Sequence, residues 1–163
     1  MVRVRPATAA DRPALGRYGA ALMRQHHAAD PRRFLTTDNP EAGYGGFLVS
    51  QLTDEETRVL VAERDGVVIG YLYASLEGTS WRDLRGPCGF VHDVYVDEAA
   101  RGQGVGRRLV EAAVEWIRGH GMTEVVLWSK SGNAPAQRLF AALGFRPTLL
   151  EMTLDVEPDE TAR

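Results

Sequence analysis

The chain has 163 residues, 44% of them hydrophobic and 25% charged, with a formal net charge of −3. That length suits one domain with a substantial core, and that balance is ordinary for a soluble globular protein. The acidic excess argues against a nucleic-acid binder, whose footprint is basic, and no apolar run approaches the roughly 18 residues of a membrane span.

Val2 and Val4 alternate with arginines, the pattern of a half-buried strand, and Pro6 ends it. Asp11 can cap a helix over about residues 12 to 28, with Pro13 in its first turn. His26 and His27 fall near its end and are expected to face solvent; with Asp30 they offer two kinds of metal ligand but no third, so no metal site is expected. Residues 36–46 are polar and glycine-rich, with Asp38 and Glu41 read as solvated loop charges, and Phe47, Leu48 and Leu52 then predict a short second helix. Val59–Ala62 and Val67–Tyr73 flank Asp65-Gly66, a strong hairpin signal. A loop over 78–88 precedes a strand over Gly89–Asp97. Cys88 is the only cysteine, which excludes an intrachain disulfide and fits a reducing cytoplasm.

A glycine-rich loop follows that strand. Val105, Leu109, Ala112, Ala113, Trp116 and Ile117 then recur at the spacing of a core-facing helix, which Gly119 and Gly121 stop. Val125–Trp128 reads as a buried strand. Asn133 caps a further helix with Pro135 in its first turn, and Gly144 ends it. A last strand is predicted over 148–156, where Leu150, Met152 and Leu154 alternate and Leu149 is also apolar. An edge strand of that kind is prone to pair with another chain, so a homodimer is expected. The domain is read as residues 1–156, with a polar C-terminal tail over 157–163 expected to fray. Mixed hairpin and crossover signals predict an α/β domain whose mixed sheet has about six or seven strands and about four flanking helices.

The loop itself carries the most chemistry. Gly102, Gly104 and Gly106 alternate at the start of a helix, where N–H groups lack partners and the helix dipole is positive; Arg101, Arg107 and Arg108 add charge. The implied ligand is a phosphate or pyrophosphate. A dinucleotide fingerprint begun at Gly102 would need glycine where Arg107 stands, and a P-loop would need Lys-Ser/Thr where Arg107 and Arg108 stand. What remains, Arg101-x-x-Gly104-x-Gly106, resembles the acetyl-CoA pyrophosphate loop of the GNAT superfamily of N-acetyltransferases. Asn133-x-x-Ala136-x-x-Leu139-Phe140-x-x-x-Gly144-Phe145 is similar to a second motif of that family, and the order of elements resembles its fold over nearly the whole chain.

The resemblance implies acetyl transfer from acetyl-CoA to a primary amine, on a small molecule or a protein, by direct attack without a metal. It implies that the backbone of Val94, Tyr95 and Val96 holds the pantetheine arm and the thioester carbonyl. It places the pyrophosphate on Arg101, Gly102, Gln103, Gly104, Val105, Gly106 and Arg107. Asn133, Ala136 and Phe140 would flank the arm. Such a reaction needs a base, because an ammonium is no nucleophile. His92 stands where many relatives have Glu, and a polar residue in an apolar strand is costly without a purpose. It is the first candidate, against a hydrogen-bonded core histidine; Asp93 is the second, against a structural carboxylate. Simple alternation puts Phe90, His92, Val94 and Val96 on one face and Val91, Asp93 and Tyr95 on the other. Phe140 departs from the family, which often has Tyr there to protonate the leaving thiolate. Tyr71, Tyr73 and Tyr95 are unsupported substitutes. A non-catalytic acyl-CoA sensor of the same fold, or an acyltransferase with another donor or a hydroxyl acceptor, are the rival functions.

Overall fold

The computed structural model describes residues 1–156; the polar tail expected over 157–163 lies outside them. Five strands form one mixed sheet in the order β1 (Val2–Pro6), β2 (Thr57–Arg64), β3 (Val67–Glu77), β4 (Cys88–Val96), β5 (Val125–Leu127). Neighbours run antiparallel except β4 and β5, which are parallel. The helices are α1 (Arg12–Ala29), α2 (Pro40–Ser50), α3 (Val105–Gly119) and α4 (Ala134–Ala142). The β2–β3 hairpin turns at Asp65 and Gly66, both at positive φ, as Asp-Gly predicts.

Alternation along β2 and β3 divides the core between the two faces of the sheet. Leu60, Ala62, Leu72 and Ala74 pack with Leu109, Ala113 and Ile117 of α3. Val59, Val61, Tyr71 and Tyr73 pack on the other side with Leu15 and Tyr18 of α1 and Leu48 of α2. Burying a leucine completely, as at Leu15, Leu48 and Leu109, contributes roughly 1.5–3 kcal/mol.

Three expectations change. First, α2 begins at Pro40, within the stretch expected to be loop. The Asn39 side chain caps it by accepting from the Ala42 N–H, Pro40 supplies the first turn, and its glycines serve packing. A Cβ on Gly16 of α1 would lie 2.4 Å from the Glu41 carbonyl, and one on Gly45 3.2 Å from the Gly16 Cα, so the two helices cross with backbones nearly touching. Second, β3 runs four residues past Tyr73, to Glu77. Third, the sheet has five strands, not six or seven, because residues 148–156 form no strand. β5 is only three residues long and offers little edge to pair with. Glu151 is instead ion-paired with Arg33, whose Nη2 donates to Oε2 at 2.9 Å, and Asp155 lies 3.3 Å from Arg32. Leu149, Leu150, Met152 and Leu154 are left exposed.

Candidate active site

The centre of the site is an irregularity in β4. Tyr73 pairs with Asp93 and Ala74 with Val91, so His92 has no partner on β3. This bulge places an extra residue in the strand and reverses the alternation beyond it. The faces expected from simple alternation are therefore corrected. His92 and Phe90 share their face with Asp93 and Tyr95, toward α1 and α2, while Val91, Val94 and Val96 pack on the α3 side.

The two candidate bases thus stand side by side with different partners. Asp93 Oδ2 accepts from the Tyr44 hydroxyl at 2.7 Å and from the Tyr71 hydroxyl at 3.1 Å. Burial pushes its carboxyl above the ordinary range, opposed by those two bonds. The same burial, with the Asp93 charge nearby, pushes the Tyr44 and Tyr71 phenols up. Tyr44 reaches Asp93 because Gly19 leaves room on α1; a Cβ there would fall within 2.1 Å of the Tyr44 ring. His92 lies between two aromatic rings, stacked on Tyr73 at 4.9 Å and on Phe90 at 4.7 Å between centroids. Its Nε2 is 2.7 Å from Ser75 Oγ and 3.6 Å from Glu77 Oε1. Burial lowers its pKa, and the charges of Glu77 and Asp93 oppose that, so it is neutral near pH 7.

Beyond the bulge the sheet opens. The β4–β5 ladder ends at Val91 and Leu127, while β4 continues to Val96. Val94, Tyr95 and Val96 remain paired with β3 but, among the described residues, have no strand on their other side. A cavity of about 370 Å³ lies at this opening. His92, Asp93 and Val94 line it from β4, and Asn133, Ala136 and Phe140 from α4 and its cap. Across from them are Met23 and His26 of α1, Phe34 and Tyr44. His26 and His27 are half-buried, not solvent-facing as expected. Their Nδ1 atoms bond to the Leu22 and Phe34 carbonyls, and the His26 ring meets Phe34 edge-on.

The glycine loop follows β4 through a short 3₁₀ turn. Gly102 and Gly104 have φ of +73° and +77°, the left-handed region that favours glycine. Gly104 is the N-cap of α3 and no side chain caps it, so the first amides of the helix are open to an anion. Nothing lies within 4 Å of where a Cβ on Gly102 or Gly104 would stand. Gly106 abuts Leu139 of α4, with 3.2 Å from a Cβ there to Leu139 Cδ2, so the first turn of α3 packs against the middle of α4. Val105 is buried and anchors the turn. Gln103 bridges the Arg64 guanidinium and the Ala99 carbonyl. Arg101 donates to the Val96 carbonyl and lies over the Tyr95 ring, Arg107 pairs with Glu111, and Arg108 turns away to the Val2 carbonyl on β1. Of the three arginines, Arg107, on a weak exposed pair, is the freest to swing to a ligand. Asn133 caps α4 by accepting from the Ala136 N–H at 3.3 Å, and Phe140 meets Phe145 edge-on.

Tyr44, Ser75 and Glu77 form part of this site and were not singled out in the sequence. Tyr71 and Tyr73 are engaged with Asp93 and Gln51, and Tyr95 is buried and stacked on Tyr18, so none of the three is free beside the cavity.

Residues 20–145 match the acetyltransferase (GNAT) family, and the chain belongs to it. It is 37% identical over 89 residues to a mycothiol acetyltransferase of Thermobispora bispora, covering 52% of this chain and 28% of that protein. It is 38% identical over 94 residues to the L-methionine sulfoximine/L-methionine sulfone acetyltransferase of Salmonella typhimurium, covering 55% and 51%. The matched region thus spans about half or less of these relatives. The fold is shared with aminoglycoside N-acetyltransferase AAC(6')-Iy in complex with CoA, at a TM-score of 0.70 and 19% identity over 97% of this chain and 96% of that one.

Proposed function

We propose that the protein is an N-acetyltransferase that moves an acetyl group from acetyl-CoA to a primary amine, in the reducing cytoplasm and as a homodimer. The observation that carries this reading is the opening of β4 from β5: it sets two titratable side chains, His92 and Asp93, on the wall of a cavity, on the strand that leads into the glycine loop and the uncapped start of α3. The names of the relatives, a mycothiol acetyltransferase and an L-methionine sulfoximine/L-methionine sulfone acetyltransferase, support it.

The residues present suit acetyl-CoA. The pyrophosphate belongs on the open amides of residues 102–107, with Arg107 beside them, and the pantetheine arm on the free side of Val94, Tyr95 and Val96. Asn133, Ala136 and Phe140 form the opposing wall. Acetyl-CoA supplies an activated acyl carbon, and this chain must supply a free amine. His92, neutral near pH 7, accepts the proton of the acceptor ammonium. Asp93, beside it, favours a cationic acceptor electrostatically. Phe140 has no hydroxyl and gives no acid; a thiol pKa of about 8.5 allows the thiolate to leave without one.

Thiol release measured with acetyl-CoA across a panel of amines and alcohols tests this. Turnover with primary amines is expected. Binding of CoA with no release from any acceptor would indicate the sensor, and release with alcohols alone an O-acyltransferase.

A further inference from the structure

A histidine that serves as a base has one nitrogen that must be bare, and its surroundings decide which. Five residues, on β3, on β4 and in the loop between them, bear on this for His92. Glu77 Oε2 lies 2.5 Å from Arg85 Nη2, an ion pair in which the Glu77 carboxylate can only accept hydrogen bonds. Ser75 Oγ is 3.3 Å from the other oxygen, Glu77 Oε1, so its hydroxyl proton points to the carboxylate. The lone pairs of Ser75 Oγ then face His92 Nε2 at 2.7 Å. Nε2 also lies 3.6 Å from Glu77 Oε1, a position where a ring N–H is attracted and a ring lone pair repelled. A flip of the imidazole that exchanged its nitrogens would have to disrupt its stacking on the Tyr73 and Phe90 rings.

We propose that Ser75 and Glu77 are positioning residues that hold the proton of neutral His92 on Nε2 and leave Nδ1 as the nitrogen that deprotonates the acceptor. The proposal rests on His92 being the base. The acceptor ammonium gives one proton to Nδ1 and keeps the electron pair of the broken N–H bond. His92 becomes an imidazolium with both nitrogens protonated, its positive charge facing Glu77 through Ser75. It returns to neutral by losing the Nδ1 proton to solvent, which the ring, 32% exposed, can reach. Other groups face the ring as well. Asp93 is its neighbour on β4, and both His26 of α1 and Tyr44 of α2 line the same cavity, with Lys130 after β5. None of these belongs to the hydrogen-bonded chain that joins Ser75 and Glu77 to Nε2.

Nitrogen-15 spectra of the histidine-labelled enzyme read the tautomer directly, with His92→Gln assigning the signal. Neutral His92 is expected protonated on Nε2 with Nδ1 bare. Glu77→Gln, which keeps size and removes charge, should move the His92 titration to lower pH, because the imidazolium loses its counter-charge. The rising limb of kcat/KM against pH should move with it. Turnover at the plateau should fall about tenfold, less than the 10²–10⁴ expected for loss of the base itself. Ser75→Ala should give a mixture of tautomers with the fold unchanged by circular dichroism. A proton on Nδ1 in the wild type, or an unmoved His92 titration in Glu77→Gln, overturns the proposal. Wild-type turnover in His92→Gln overturns the assignment of the base instead, and the two failures are distinguishable because the spectra do not depend on turnover.

Discussion

A histidine accepts a proton only in its neutral form, so with His92 as the proposed base its titration sets the pH at which the protein works. Burial lowers that pH relative to an ordinary histidine. The rate should therefore rise with pH through a midpoint below the usual histidine value and level off once His92 is neutral. His92→Gln retains polarity and approximate size but cannot take the proton. It should lose about 10²–10⁴ in turnover near pH 7 and keep its acetyl-CoA affinity, since backbone groups further along hold that ligand. The loss should shrink at high pH, where the amine is already deprotonated. Unchanged turnover near pH 7 moves the base to Asp93. His92 and Asp93 were legible in the sequence because they interrupt an apolar strand. Tyr44, Ser75 and Glu77 were not: Tyr44 meets Asp93 across 49 residues of sequence, and Ser75 meets His92 across 17. Such contacts depend on helix crossing and strand register, neither of which leaves a local signature. The bulge was hidden for the same reason, and with it the face on which Asp93 stands.

At the scale of the elements, the glycine loop and the start of α3, the proposed anion cradle, have a geometry that is backbone geometry. That is why it was readable from spacing alone. Left-handed glycines and an open helix start need particular residue types at fixed positions, whatever the rest of the chain does. Its arginines were less legible, since Arg108 serves β1 and Arg101 the Val96 carbonyl. Gly106→Asp isolates the cradle from the fold. A carboxylate in the first turn of a helix suits the dipole, and the nearest atom, the end of the Leu139 side chain at 3.2 Å, has to give by only a few tenths of an ångström. The variant should fold, yet its negative charge competes with the pyrophosphate. Calorimetric titration should show acetyl-CoA affinity falling by at least about 1.4 kcal/mol, a factor of ten. Full affinity in the folded variant would remove the pyrophosphate from this loop.

For the whole molecule, the element that sequence periodicity misread is the one that bears on assembly. Residues 148–156 have the alternation of a strand, but alternation specifies only that one face seeks cover, not that cover exists within the chain. In the fold the segment is anchored by ion pairs of Arg33 and Arg32 with Glu151 and Asp155, exposed contacts of the kind that contribute little individually. Leu149, Leu150, Met152 and Leu154 are 77–85% exposed, a run of large apolar side chains in one short stretch. The outer edge of β5 pairs with no strand among the described residues. An uncovered apolar segment of this kind is a surface that a second copy of the chain could cover, whereas β5, at three residues, adds little edge to such a pairing. In the proposed homodimer, burial of the segment against a partner would supply the cover that a lone chain does not. Light scattering at micromolar concentration is expected to report a dimer. Met152→Glu with Leu154→Glu, which places charges in the buried run, should return it to a monomer with the circular dichroism spectrum of the folded domain. A wild type that is already monomeric at those concentrations refutes the homodimer.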